Sequence, residues 1–160
     1  MSTLTHLECS HCGDNYEVSQ LQTFCQECNT PLVARYDLEA AGKKMTKEIV
    51  SNRPRGMWRW RELLPVIDLN NIVSLGEGDS PLLIANRLGK GHGFFNLYIK
   101  DESGQPTGSF KARGLAMAVS KAIELGVREI VVPTAGNAGG ALSAYAAKAG
   151  ITAHIYTPKD

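Results

Sequence analysis

Along the last two thirds of the chain, apolar and polar positions switch between two periods. Asn96-Leu97-Tyr98-Ile99-Lys100 is a short apolar run that reads as a strand, and the polar run 104–108 breaks it. Residues 111–125 then repeat apolar side chains at Leu115, Val119, Ala122 and Ile123, a helical spacing, and Gly126 is placed to end that helix in the left-handed conformation. Glu129-Ile130-Val131-Val132 is β-branched and short, which predicts a second strand. Thr134-Ala135-Gly136-Asn137 turns the chain into an alanine-rich helix that ends at Gly150, and Ala153-His154-Ile155-Tyr156 comes next as a third strand. Short strands joined by helices of this length make parallel pairs with right-handed crossovers, so the segment predicts part of a three-layer doubly wound α/β sheet. Both glycine-bearing loops follow a strand and precede a helix, which places them together at the carboxyl edge, where such sheets bind ligands.

The N-terminal part of the chain is organised differently. A cysteine-bearing module covers 1–36, and a polar, basic connector covers 37–75. The connector begins with a helical Asp37-Leu38-Glu39-Ala40-Ala41 and continues through Asn52-Arg53-Pro54-Arg55-Gly56 and Met57-Trp58-Arg59-Trp60-Arg61. Its aromatic and aliphatic residues suit packing onto the α/β part, residues 76–160.

The four cysteines of the 160-residue chain all fall between positions 9 and 28. Cys9 and Cys12, twelve intervening residues, then Cys25 and Cys28 form two Cys-x-x-Cys knuckles, the spacing with which four thiolates close on one tetrahedral ion. Gly13 and Asn29 succeed the knuckles, where a tight turn needs a permissive backbone. Four sulfurs leave no open coordination position, so the expected zinc is structural. Residues 1–36 carry Glu8, Asp14, Glu17 and Glu27 against Arg35 alone, so this zinc-ribbon-like module would be repelled by phosphates and predicts no nucleic-acid binding.

Composition narrows the classes further. With 43% hydrophobic and 21% charged residues the chain can bury a core, and a net charge of +1 gives no general attraction to nucleic acid or membrane. An anionic ligand must be held by local geometry, which favours a small molecule. The first residues lack a basic stretch followed by an apolar run, and no segment approaches the roughly 18 apolar residues of a membrane span. A cytoplasmic protein is expected.

Two loops carry candidate chemistry. Lys111 stands at the start of a helix behind a Pro106-Thr107-Gly108-Ser109 turn, where the helix dipole and Arg113 both favour the neutral amine that forms Schiff bases. A lone lysine there is ordinarily a solvated charge. The second loop, Thr134-Ala135-Gly136-Asn137-Ala138, offers helix-terminal amides to a carboxylate or phosphate, although Asn137 could equally be a simple helix cap.

Pro106-Thr107-Gly108-Ser109-Phe110-Lys111-Ala112-Arg113-Gly114 resembles the cofactor-lysine motif of fold-type-II pyridoxal-phosphate enzymes, and Thr134-Ala135-Gly136-Asn137-Ala138 is similar to their substrate-carboxylate loop. Ser74-Leu75-Gly76-Glu77-Gly78-Asp79-Ser80-Pro81-Leu82 looks like the lead-in of the threonine synthases. Many of these also carry a Cys-x-x-Cys ribbon before a run like Pro31-Leu32-Val33-Ala34-Arg35-Tyr36-Asp37. The resemblance runs through essentially the whole chain. It implies that Lys111 binds pyridoxal 5'-phosphate covalently and then serves as general acid and base. It implies further that Asn137 bonds the cofactor's ring oxygen, and that Thr134, Ala135, Gly136, Asn137 and Ala138 hold the substrate carboxylate. The implied reaction converts O-phosphohomoserine and water to threonine and phosphate, in a homodimer when full length.

Ala112 stands where many threonine synthases have Asp, and Thr134-Ala135 where Ser-Thr or Ser-Ser is frequent. A serine/threonine dehydratase or a cysteate synthase-like enzyme therefore remains an alternative, as does a non-enzymatic zinc-ribbon interaction module fused to a decayed α/β segment. The resemblance also implies a chain more than twice this size, with a glycine-rich phosphate loop that does not occur after Lys111. Residues 1–160 alone are expected to be inactive and to bind the cofactor weakly.

Overall fold

The computed structural model describes residues 1–159. Three antiparallel strands, β1 (Leu4–Cys9), β2 (Asn15–Tyr16) and β3 (Leu32–Tyr36), form a sheet in the order β2-β1-β3. Thr3 ties this sheet to the connector: its N–H donates to the Glu62 carbonyl at 2.8 Å, while its own carbonyl accepts from the Asp37 amide at 2.9 Å.

Asp37 caps α1 (Leu38–Lys44) by accepting from the Ala40 amide, and Thr46 caps α2 (Lys47–Ser51) from Ile49 in the same way. Two 3-10 segments, Met57–Leu63 and Leu69–Asn71, lead into β4 (Leu82–Ile84), α3 (Asn86–Gly91) and β5 (Tyr98–Lys100). Then come α4 (Lys111–Glu124), β6 (Glu129–Pro133), α5 (Asn137–Ala149) and β7 (Thr152–Tyr156). No helix among the described residues is long and apolar enough to cross a membrane.

The strand at 98–100 corrects one expectation. The sequence pattern predicts that it begins a parallel set, but β5 pairs antiparallel with β4, with Leu82 opposite Lys100 and Ile84 opposite Tyr98. The physical reason is local bonding: α3 has only six residues, and bonds from Ala85 N–H to the Leu97 carbonyl and from Asp101 N–H to the Pro81 carbonyl, both 2.9 Å, close the antiparallel pair at each end. Parallel pairing is found in β6 and β7, joined through α5 with Glu129 opposite Thr152 and Pro133 opposite Tyr156. The described residues therefore contain one parallel β-α-β unit rather than a complete doubly wound sheet.

The core lies between α4 and α5. Ala112, Ala116, Val119 and Ser120 are buried along one face of α4, against Ala141, Leu142, Tyr145 and Ala146 of α5. Leu115 and Ile123, prominent in the sequence pattern, are only partly buried at the margin of that seam. Small side chains at its centre let the helices approach closely. Met57, Val73 and Ile151 also belong to the core, and Ser120 stitches it by accepting from the Val73 amide at 2.8 Å while donating to the Ala116 carbonyl at 2.7 Å. Gly126 and Gly150 both have left-handed backbones after their helices, at φ +74° and +68°.

Candidate active site

Lys111 is the first residue of α4, and the loop 133–138 joins β6 to α5; together they line one open cavity of about 420 Å³. The two segments that the sequence singled out thus meet. Lys111 Nζ lies 4.6 Å from the centroid of the Phe110 ring, and no carboxylate contacts it among the described residues. Arg113 does not provide the uncompensated charge beside Lys111 that the sequence suggested. Its guanidinium is bound to Glu102 at 2.7 and 2.9 Å and reaches Ser80 Oγ at 3.2 Å. Arg113 and a further hydrogen bond from Ser80 hold the Glu102 carboxyl down at about 2. Lys100 adds a bond to the Ser80 carbonyl. The network fixes the run 100–103 to α4 and to the lead-in at residue 80.

The second wall is organised by Thr134. Its Oγ1 accepts from the Gly136 amide at 3.0 Å and from the Gly139 amide at 3.3 Å, and its own amide donates to the Tyr156 carbonyl. Thr134 therefore does the capping work that the sequence left open for Asn137, which is the exposed first residue of α5. Gly136, with φ +147°, is the actual cap position. Ala135, Asn137 and Ala138 keep amides with no protein partner among the described residues. Three free N–H groups at or just before a helix N-terminus, on residues that line a cavity with an amine, suit an anion. Gly139 allows the close packing behind this loop: a Cβ there would lie 2.7 Å from both Thr134 Cγ2 and Ile155 Cγ2.

Two residues that the sequence did not single out brace these walls. Gln105, buried before Lys111, accepts from the Gly78 amide at 2.9 Å, and its backbone carbonyl accepts from Gly108 at 2.8 Å. Glu77 is buried against Trp58 and Tyr145. The readable signal was Gly76-Glu77-Gly78, a carboxylate between glycines, which lets other backbone come close.

A separate cluster lies at the end of β1 and in the turns beside the first sheet. The Sγ atoms of Cys9, Cys12, Cys25 and Cys28 all lie within 4.8 Å of one another, with Cys9–Cys28 at 3.3 Å, Cys12–Cys25 at 3.5 Å and Cys12–Cys28 at 3.9 Å. A tetrahedral ion with bonds of about 2.3 Å needs sulfurs about 3.8 Å apart, so the four thiols fit one zinc. Gly13 and Asn29 have left-handed backbones, φ +81° and +54°, as the knuckle turns require. The Tyr16 hydroxyl donates to Cys25 Sγ at 3.2 Å and brings that thiol down to about 6, favouring the thiolate a metal binds.

The family model described as pyridoxal-phosphate dependent enzyme matches residues 73–160. A threonine synthase of Methanocaldococcus jannaschii is 40% identical over 151 residues, which cover 94% of this chain and 37% of that protein. One from Methanosarcina acetivorans is 36% identical over 96% of this chain and 37% of its own length, and one from Halalkalibacterium halodurans is 42% identical over 62% and 28%. The chain thus spans little more than a third of the length of the relatives it matches most fully.

Proposed function

We propose that this chain, which belongs to the family of pyridoxal-phosphate dependent enzymes, carries the amine-bearing part of a threonine synthase that converts O-phosphohomoserine and water to threonine and phosphate. The observation that carries the reading is the shared cavity of Lys111 and the loop 133–138, lined by residues with three free amides and by an amine that no carboxylate contacts among the described residues. Lys111 would hold pyridoxal 5'-phosphate through its ε-amino group, and the Asn137 side-chain amide would bond the ring oxygen. The bound cofactor supplies an electron sink for the substrate's carbon acids. Ala135, Asn137 and Ala138 would bind the substrate carboxylate through their amides, and the Thr134 hydroxyl proton, left free by its two accepted bonds, would add a fourth donor. Once released by substrate amine, Lys111 would move protons on the substrate carbons. Cys9, Cys12, Cys25 and Cys28 would hold a structural zinc, and the assembly would be a homodimer.

Cofactor attachment is tested on the chain itself. It is incubated with pyridoxal phosphate, reduced with borohydride and mapped by peptide mass spectrometry. Label concentrated on Lys111 and abolished by Lys111→Ala supports the reading; label spread evenly over the surface lysines removes it. The reaction is tested on a polypeptide of the relatives' length. Phosphate and threonine from O-phosphohomoserine support a threonine synthase, whereas 2-oxobutanoate from threonine makes it a dehydratase.

A further inference from the structure

Glu77 is only 1% exposed, yet no cation touches its carboxylate among the described residues. Three neutral donors surround it instead: Trp58 Nε1–H on Oε1 at 2.5 Å, and the Tyr145 hydroxyl at 2.7 Å and the Leu75 amide at 2.9 Å on Oε2. Burial alone would raise its pKa, but these donors outweigh burial and leave the carboxyl below its ordinary value, so it is an anion. A buried carboxylate held this way costs desolvation that an apolar side chain would not. Its contacts show what that cost secures.

The donors come from three places: the 3-10 segment at 57–63, the lead-in around residue 75, and α5. The backbone at Glu77 extends the link, since its carbonyl accepts from the Met57 amide at 2.9 Å. At the next residue, Gly78, the amide donates to Gln105 Oε1 at 2.9 Å and the carbonyl accepts from Gln105 Nε2 at 3.4 Å. Gln105 in turn takes the Gly108 amide on its backbone carbonyl, and Gly108 leads through Ser109 and Phe110 to Lys111. A continuous hydrogen-bonded path, buried at Glu77 and Gln105 and part-buried at Gly78, therefore runs from α5, whose N-terminus bears the free amides, to the turn that bears the amine. It does not pass through the cavity.

We propose that Glu77 is a positioning residue that sets the placement of Lys111 relative to the amide loop 134–138, coupling the two walls from behind. The assigned purpose rests on the cofactor reading above, but the coupling is measurable without any cofactor. In Glu77→Gln a single carbonyl oxygen faces three donors, and the new NH2 confronts at least one of them. Amide hydrogen exchange is followed on the 160-residue chain. In Glu77→Gln, exchange at Gly108, Ala112 and Arg113 and at Gly139 and Gly140 should accelerate together by about ten- to a hundredfold, the scale of one lost buried hydrogen bond. Exchange in β1 and β3 should stay unchanged.

Gln105→Ala cuts the path beyond Glu77 and should loosen the Lys111 turn while sparing α5. Acceleration confined to α5, or equal acceleration everywhere in the chain, overturns the proposal, because the first shows no coupling and the second only lost stability. Should Glu77→Gln not fold, Trp58→Phe removes one donor and keeps the charge; the same two-walled pattern at smaller amplitude supports the coupling, and its absence overturns it. As a second readout, borohydride-trapped pyridoxal phosphate on Lys111, measured against label on the exposed Lys43, should fall in Glu77→Gln. An unlabelled Lys111 in the unsubstituted chain counts against the cofactor reading, while the exchange pattern decides the coupling separately.

Discussion

Gly78→Ala tests the tightest packing behind the candidate site. Gly78 has φ +112°, and a Cβ there would lie 2.4 Å from Met57 N, 2.7 Å from Gly56 C and 2.8 Å from Gly56 Cα. All three are backbone atoms, so no rotamer change relieves the overlap. Restoring an ordinary contact of about 3.4 Å moves the two segments apart by about 1 Å, which stretches the Met57 N–H bond to the Glu77 carbonyl from 2.9 Å to beyond bonding range. Losing that buried bond costs about 1–3 kcal/mol, and the positive φ adds about 1–3 kcal/mol for a residue with a Cβ. The terms overlap as the segments relax, so the expected loss is about 3–4 kcal/mol, a large part of the roughly 5–15 kcal/mol typical of a folded domain. Urea unfolding followed by tryptophan fluorescence measures it. Gly76→Ala is the control, because Gly76 also has positive φ, +92°, but no atom within 4 Å of the added Cβ, so it carries only the conformational part. Equal losses for the two variants would refute the packing argument, since the backbone contacts met by the added Cβ are the main difference between them.

Further consequences rest on single contacts. Ser120→Ala leaves the Val73 amide without its buried acceptor and should cost about 1–3 kcal/mol in chemical denaturation; a loss below about 0.5 kcal/mol would mean that water replaces the hydroxyl. Thr134→Val keeps the packing shape but removes the acceptor for the Gly136 and Gly139 amides, so exchange at Gly139 should rise and stability should fall by about 1–2 kcal/mol, whereas unchanged protection would show the loop is held otherwise. The reduced chain should bind one zinc per molecule by elemental analysis, and Cys25→Ser should weaken that binding; a metal-free protein after purification in zinc would remove the structural site. Glu102 titrates at about 2 when folded against an ordinary 4.5, so its contribution is complete above pH 4.5 and is lost as pH falls toward 2. Between those limits the unsubstituted chain should lose stability more steeply than Glu102→Gln, and parallel curves would contradict the Arg113 pairing.

What the sequence revealed was local. The Cys-x-x-Cys knuckles and the glycines at 126 and 150 are each set by a few neighbouring residues, and the structure has the four thiols together and both glycines left-handed. The strand-loop-helix order likewise brought Lys111 and the loop at 134–138 to one cavity. What was illegible depends on partners distant in sequence. Leu82-Leu83-Ile84 is three residues of uniform hydrophobicity, with no alternation to assign a face, so nothing in it announced antiparallel pairing with β5. Arg113 reads as a free charge until Glu102 is seen beside it.

Glu77 marks where local reading stops. Its flanking glycines signal that other backbone can come close, but carboxylates are almost never fully buried without a partner, and no neighbour in sequence names one. Its partners are Trp58 and Tyr145, one on each side in the chain and far apart in sequence, and neither is charged. A charge search would have missed them, since the solvation comes from an indole and a phenol that sequence patterns assign to the core. The same separation gives the residue its consequence. Only a group that reaches both the connector and α5 can carry a displacement of one to the other, and the turn before Lys111 is joined to that group through Gly78 and Gln105. The chemistry assigned to Lys111 and the free amides therefore depends on a residue that touches neither.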